Sequence, residues 1–219
     1  DTYDASGTIV HETHLVPTTA EIARALQQFQ GRTSQTPPMY SAKFVDGERS
    51  YVRARSGKPL QPAAVSVTAH ALELLTVDGP RAQVRIRCSA GFYVRSLAHD
   101  LGAALGTGAI LDHLVRTEAA GFALSDAVGF EQLVTAPRAE LWAAVRPIEA
   151  LLVDLPSASL TEEGVRWARH GRDLGPRELA APLPTIPDLV RMFAPDGRMV
   201  GLAERSNQPG FLHPAVVFS

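Results

Sequence analysis

Cysteine is nearly absent from this chain of 219 residues, which has one, Cys88. A single cysteine excludes an intramolecular disulfide framework and a cysteine-based zinc site. Cys88 lies in an alternating strand pattern, which is typical of a small buried hydrophobe. The histidines are scattered, and no cluster of cysteines or carboxylates joins His11 and His14. The sequence therefore predicts no metal site.

Lysine is almost as scarce, because Lys43 and Lys58 are the only two. The 21 basic residues nearly balance 23 acidic ones, and the net charge is −2. This balance argues against a surface that binds nucleic acid everywhere, but it leaves room for a local basic face. The arginines suit bidentate contacts with phosphate, although a GC-rich genome would produce the same bias.

Several other patterns are missing. No apolar run approaches the roughly 18 residues that a membrane span needs, and the polar start at Asp1 is unlike a signal peptide, so a cytoplasmic location is expected. The chain has no P-loop, no G-x-G-x-x-G after a strand and no G-x-S-x-G elbow. Because it begins without methionine, we expect it to be the ordered or truncated part of a longer protein.

Local signals predict an α+β fold. Thr18 to Glu21 has the form of a capping box before a helix that Gly31 ends. A hairpin is predicted around Asp46-Gly47, followed by two long alternating strands over 64–77 and 84–88. Arg85 and Arg87 lie on the outer face of the second of these strands. After Gly106, a helical turn and then a strand are expected.

Pro147 and Pro156 bracket a predicted linker, and after it the sequence becomes strand-like and rich in proline. Thr161 is expected to cap a helix that runs to Arg169, and a hairpin is predicted around Asp196-Gly197. We therefore divide the chain into a mixed, mostly antiparallel α+β domain over 1–154 and a small β-rich domain over 155–219.

One segment carries chemistry, CSAGFYVRSLAHDLG over residues 88–102. It predicts a strand, a turn at Gly91 and a helix with Arg95 in its first turn. A cation gains nothing from the helix dipole at that end, so Arg95 is expected to have an anionic partner, either a carboxylate or a phosphate. An ordinary structural ion pair remains one interpretation, and a functional site is the other.

These residues carry a resemblance. GFYVRSL, preceded by Cys88 and followed by Asp100-Leu101-Gly102, resembles the arginine motif of the TruB family of tRNA pseudouridine synthases. DTYDASG resembles the family's T-D-T-x-D-x-x-G segment without its first threonine. QTPPMYSAKFVDGERSYVRARSG and GAILDHLVRTEAAGFAL are similar to two further motifs in the same order. The matches cover residues 1–124, and residues 155–219 resemble the family's PUA-like RNA-binding domain more weakly.

The resemblance implies isomerisation of uridine 55 in the T loop of tRNA, with the base flipped into a pocket and attacked by an aspartate. It implies no metal and no organic cofactor. Arg95 would orient the aspartate, and Tyr93 and Leu114 would border the uracil pocket. Lys43 and Arg116 would contact RNA. The expected partner is the T arm of tRNA, and the expected state is a bacterial, cytoplasmic monomer with no membrane association.

The family's aspartate lies in a G-x-x-D-P-x-A-x-G-x-L motif that these 219 residues do not contain. Asp1 and Asp4 belong to a different segment and are not expected to replace it. We therefore expect the printed chain to form no pseudouridine by itself. Two alternatives stay open: a non-catalytic RNA-binding or tRNA-chaperone module, and a globular domain whose arginines make only structural ion pairs.

Overall fold

The computed structural model describes residues 1–45, 47–58, 60–183, 185 and 187–218. Its first helix begins with the predicted capping box. The Thr18 hydroxyl accepts from the Glu21 amide at 3.3 Å, and the Glu21 carboxylate accepts from the Thr18 amide at 2.8 Å. The helix ends at Gln27, before Gly31, which opens the first strand with a φ of 90°. The predicted helix end is therefore too late.

Residues 1–115 form one of two compact units. The predicted first helix, hairpin, two long strands and second helix are confirmed in that order, although Asp46 of the hairpin turn lies outside the described residues. The elements of the unit also include a strand over 31–35 that was not predicted. In chain order they are α1 (Thr19–Gln27), β1 (Gly31–Gln35), β2 (Phe44–Val45), β3 (Glu48–Arg49), α2 (Ser50–Arg55), β4 (Val65–Asp78), β5 (Arg81–Cys88) and α3 (Val94–Leu105).

The main sheet of this unit has the order β1-β4-β5 with antiparallel pairs. The register of β4 against β5 shifts between Ala69 and Ala71. Because side chains alternate along a strand, this irregularity changes which residues face inward. Ala71 is exposed, and Leu72 and Leu74 instead pack against the cluster that α1 and α3 bury on the sheet.

Residues 116–219 form the second unit. Its elements are β6 (Glu118–Ala119), β7 (Phe122–Ala123), α4 (Phe130–Thr135), α5 (Arg138–Ala144), β8 (Ser157–Ser159), α6 (Glu162–Arg169), β9 (Leu189–Phe193), β10 (Met199–Arg205) and β11 (Leu212–Val217), with short 3₁₀ turns at Leu124–Asp126 and Ile148–Ala150. The sheet order is β11-β10-β9-β8, and only its β8–β9 pair is parallel. The core of the unit includes Leu160, Val190, Met192 and Leu212, all fully buried.

The α+β class with mostly antiparallel sheets is confirmed. The domain boundary at 154/155 stays a prediction. The two compact units of the structure divide the chain at a different point, between residues 115 and 116. The segment between Pro147 and Pro156, expected as a linker, is attached to the sheet of its own unit. Arg191 donates to the carbonyls of Leu155 at 3.2 Å and Val153 at 3.3 Å.

Within the described part of the chain, no helix combines the length and the apolar character that crossing a membrane requires.

Candidate active site

The start of α3 is fixed by the end of β1. The Gln35 side chain accepts from the Tyr93 amide at 3.0 Å and donates to the Tyr93 carbonyl at 3.3 Å. One turn into the helix, the Ser96 hydroxyl donates to the Thr36 carbonyl at 2.8 Å. Gln35 and Ser96 are buried, with 3% and 1% of their surface exposed. These three bonds tie the first turn of α3 to a segment about 58 residues earlier in the chain.

Arg95 is half-buried in that first turn. Its Nη2 donates to the carbonyl of Tyr40 at 3.0 Å, and its Nη1 donates to the carbonyl of Thr2 at 3.4 Å. Two carbonyl dipoles from distant segments therefore face a cation at the positive end of a helix. They supply the partial negative charge that this end of the helix dipole does not.

The N-terminal segment lies against the loop that follows α3. The Leu111 amide donates to the Tyr3 carbonyl at 2.9 Å, and the Ala5 amide donates to the Leu111 carbonyl at 2.9 Å. The same loop packs closely against α3, because a Cβ on Gly102 would clash with the backbone nitrogen of Ala109. Where a helical turn was expected after Gly106, residues 108–117 are irregular apart from an isolated β-bridge between Asp4 and Leu111.

Three ionisable groups of the N-terminal segment and α3 have shifted pKa values: those of Tyr3, Asp4 and Asp100. The Asp4 carboxylate accepts from the hydroxyl of Ser6 at 2.7 Å and from its amide at 3.0 Å. These bonds, with a smaller contribution from Arg95, hold the pKa of Asp4 below its usual value. Burial raises the pKa of Asp100, against the attraction of His99. Burial first, and then the charge of Asp100, raise the pKa of the Tyr3 hydroxyl.

Comparison with known proteins identifies the family. A model of the TruB family pseudouridylate synthase N-terminal domain matches residues 1–94, and a model of the tRNA pseudouridylate synthase B C-terminal domain matches residues 95–153. The tRNA pseudouridine synthase B of Azoarcus sp. is 37% identical over 98% of this chain and 68% of its own length. The chain belongs to the TruB family. The synthase B of Solibacter usitatus is 38% identical over 98% of this chain and 73% of its own.

Solved structures show the same fold as this TruB-family chain. A crystal structure of a Cbf5-Nop10-Gar1 complex aligns with a TM-score of 0.71 at 22% identity, over 95% of this chain and 63% of that one. A structure of an H/ACA RNP bound to a substrate RNA containing 2′-deoxyuridine aligns with a TM-score of 0.68 at 20% identity. The chain thus spans less than two thirds of these structural relatives and about two thirds of the Azoarcus synthase.

The residues expected at the site of this TruB-family chain are placed as follows. Tyr93 is the half-buried residue that precedes α3, directly beside the first turn that carries Arg95. Leu114 is 53% exposed in the irregular segment after α3. The side chain of Lys43 is exposed just before β2, and Arg116 is exposed at the start of the second unit. The roles proposed for these residues stay predictions.

Three contributors to the site were missed at the sequence level. Gln35 is the first residue of QTPPMYSAKFVDGERSYVRARSG, the segment similar to a family motif, and this position was a signal that could have identified it. The stacking of Tyr3 on His99, with ring centroids 3.9 Å apart and planes 11° from parallel, gave none, because 96 residues separate the two rings. In the described residues, no group of three or more His, Cys, Asp or Glu side chains is arranged to bind a metal ion.

Proposed function

We propose that this chain is the main part of a tRNA pseudouridine synthase that converts uridine 55 of the T loop to pseudouridine. One observation carries the proposal: Arg95 of the family motif is held half-buried by the Thr2 and Tyr40 carbonyls. These two contacts use two of the five N–H donors of a guanidinium. The other donors suit a carboxylate, which an arginine binds through two parallel bonds.

The reaction requires a nucleophilic aspartate beside this arginine. Its charge would be stabilised by the guanidinium, so the carboxylate would stay ionised and aligned on the sugar of the flipped nucleotide. Asp4 does not fit that role, because two hydrogen bonds from Ser6 already occupy its Oδ1 atom. We propose that the family's Asp-Pro motif supplies the nucleophile and that the 219 residues alone are inactive.

The T arm of tRNA is the proposed partner, bound by a monomer in the cytoplasm, where tRNA is found. Lys43 and Arg116 are exposed and available for phosphate contacts. Arg85 is exposed as well, but it pairs with Glu73 at 2.7 Å, which reduces its value for RNA. Because the net charge is only −2, the RNA footprint must be local, and the affinity should fall as salt rises.

The test compares the 219-residue chain with a chimera. The chimera joins the family's Asp-Pro segment, taken from the Azoarcus relative, in front of Asp1. Both are incubated with unmodified tRNA, and nucleosides are analysed by mass spectrometry. We expect pseudouridine at position 55 from the chimera and none from the chain.

A chimera with the nucleophile Asp changed to Asn is the matched control and should be inactive. Turnover by the 219 residues alone, at the rate of the Azoarcus enzyme, would contradict the assignment of the nucleophile. A folded chimera that binds T-arm RNA in a salt-dependent way without turnover would favour the RNA-binding module instead.

A further inference from the structure

The N-terminal segment and α3 meet at two neighbouring points. Arg95 Nη1 donates to the Thr2 carbonyl, and the ring of the next residue, Tyr3, stacks on His99. His99 follows Arg95 by four residues, so both side chains lie on the same face of α3, one turn apart. The ring stack and the arginine contact therefore join the same two segments.

Tyr3 has a φ of 62°, in the left-handed region that bulky residues rarely adopt. Such a conformation persists only where several contacts fix it, and it concentrates near functional sites. Here the Leu111 amide holds the Tyr3 carbonyl, and the Asp1 carboxylate accepts from the Thr8 amide at 2.8 Å to close the turn. The ring of Tyr3 is thereby fixed against α3.

We propose that Tyr3 and His99 are positioning residues for Arg95. Their stacked rings keep the Thr2 carbonyl within reach of Nη1, so the guanidinium is oriented before a carboxylate or RNA arrives. This role rests on the proposed function, because it matters for catalysis only if Arg95 aligns the nucleophile. The stack supplies a flat contact surface, so the inference predicts that another planar ring can replace His99.

The first experiment observes Arg95 directly in the 219-residue chain. With ¹⁵N-labelled arginine, the Nη signals of Arg95 are assigned by their loss in Arg95→Lys, and their hydrogen exchange is measured. His99→Leu removes the ring and should speed this exchange about tenfold, which is the effect of losing a typical hydrogen bond. His99→Phe keeps the planar face and should leave exchange within about twofold of wild type.

His70→Leu is the matched control, because His70 is exposed on β4 of the same unit. It should change neither exchange nor the melting temperature. Tyr3→Gly removes the ring and relieves the left-handed backbone, so it should remain folded and still release Arg95. Unchanged exchange in folded His99→Leu and Tyr3→Gly would overturn the proposal, and so would an equal effect of His99→Phe and His99→Leu.

The second experiment measures kcat and KM in the chimera. His99→Leu should lower kcat about tenfold or more, since a small displacement of a catalytic group is costly, while KM for tRNA stays near wild type. An equal rise in KM with kcat unchanged would contradict a positioning role. If the chimera is inactive, the proposed function fails, and the arginine signals decide the positioning of Arg95 without it.

Discussion

Replacing Gln35 by leucine tests how the fold positions the candidate site. Leucine has a similar size but no polar atoms, and Gln35 is only 3% exposed. The change removes the acceptor of the Tyr93 amide and the donor to the Tyr93 carbonyl. That amide belongs to the start of α3, where no helical carbonyl can take its place.

The two losses differ in size. The Tyr93 carbonyl still accepts from the Leu97 amide at 3.1 Å, so losing the Gln35 donor costs about 1 kcal/mol. The Tyr93 amide is left without a partner, which costs about 1–3 kcal/mol. Because leucine gains some apolar burial in return, we expect a net loss of about 2–3 kcal/mol in the free energy of unfolding. For a unit of this size the melting midpoint should fall by about 5–12 °C.

Urea and thermal unfolding of the purified chain measure this loss. Gln27→Leu is the matched control, because Gln27 is exposed in the last turn of α1. Gln35→Glu adds a second arm: its carboxylate can accept from the Tyr93 amide but repels the Tyr93 carbonyl. Protonation of the glutamate restores a hydrogen-bond donor, so the stability that Gln35→Glu loses relative to wild type should become smaller as the pH falls. If Gln35→Leu is as stable as Gln27→Leu, the side chain does not hold α3, and the reasoning is refuted.

Three further changes probe other contacts. Arg95→Lys keeps the charge but cannot span the Thr2 and Tyr40 carbonyls. We expect a stability loss of about 1 kcal/mol and a large loss of kcat in the chimera. Arg191→Met frees the segment between Pro147 and Pro156, so limited proteolysis should cut it faster while α6 and the sheet stay protected. Burial raises the pKa of Asp100 in the folded state, so its contribution to stability is largest below the pKa of the unfolded state and is lost as the pH rises through the pKa of the folded state. Asp100→Asn should therefore raise the melting temperature at pH 7 and change it little at pH 3. A melting temperature that drops at pH 7 would show that the Asp100 carboxylate is instead stabilising.

The elements that sequence analysis predicted correctly are those with local signals. The capping box of α1 and the turn at Asp196-Gly197 between β9 and β10 each act within a few residues. The helical turn predicted after Gly106 was wrong, because Leu111 there forms a bridge with Asp4, which lies more than 100 residues earlier. Local periodicity carries no information about such a partner.

The residues of the candidate site also fall into those that local sequence signals predict and those that they do not. Arg95 and Tyr93 could be chosen from the motif, since the motif itself is local. The partners of Arg95 could not, because the Thr2 and Tyr40 carbonyls are backbone atoms that any residue provides. Because a backbone carbonyl is present whatever the residue type, the sequence does not indicate which carbonyls bind Arg95, and only the folded structure identifies them.

These backbone partners explain how a cation can stay at the positive end of a helix, where the helix dipole does not favour it. A carboxylate at bonding distance would satisfy Arg95 and compete with an incoming one. Carbonyl dipoles orient the guanidinium while leaving its full positive charge. With Gln35 and Ser96 fixing the turn beneath it, Arg95 is oriented before any anion binds, and the ordering cost of binding one is correspondingly smaller. Asp4 is only weakly attracted to this charge, because Arg95 makes the smallest contribution to its lowered pKa. We therefore propose that Arg95 favours a site for an external carboxylate over a structural ion pair.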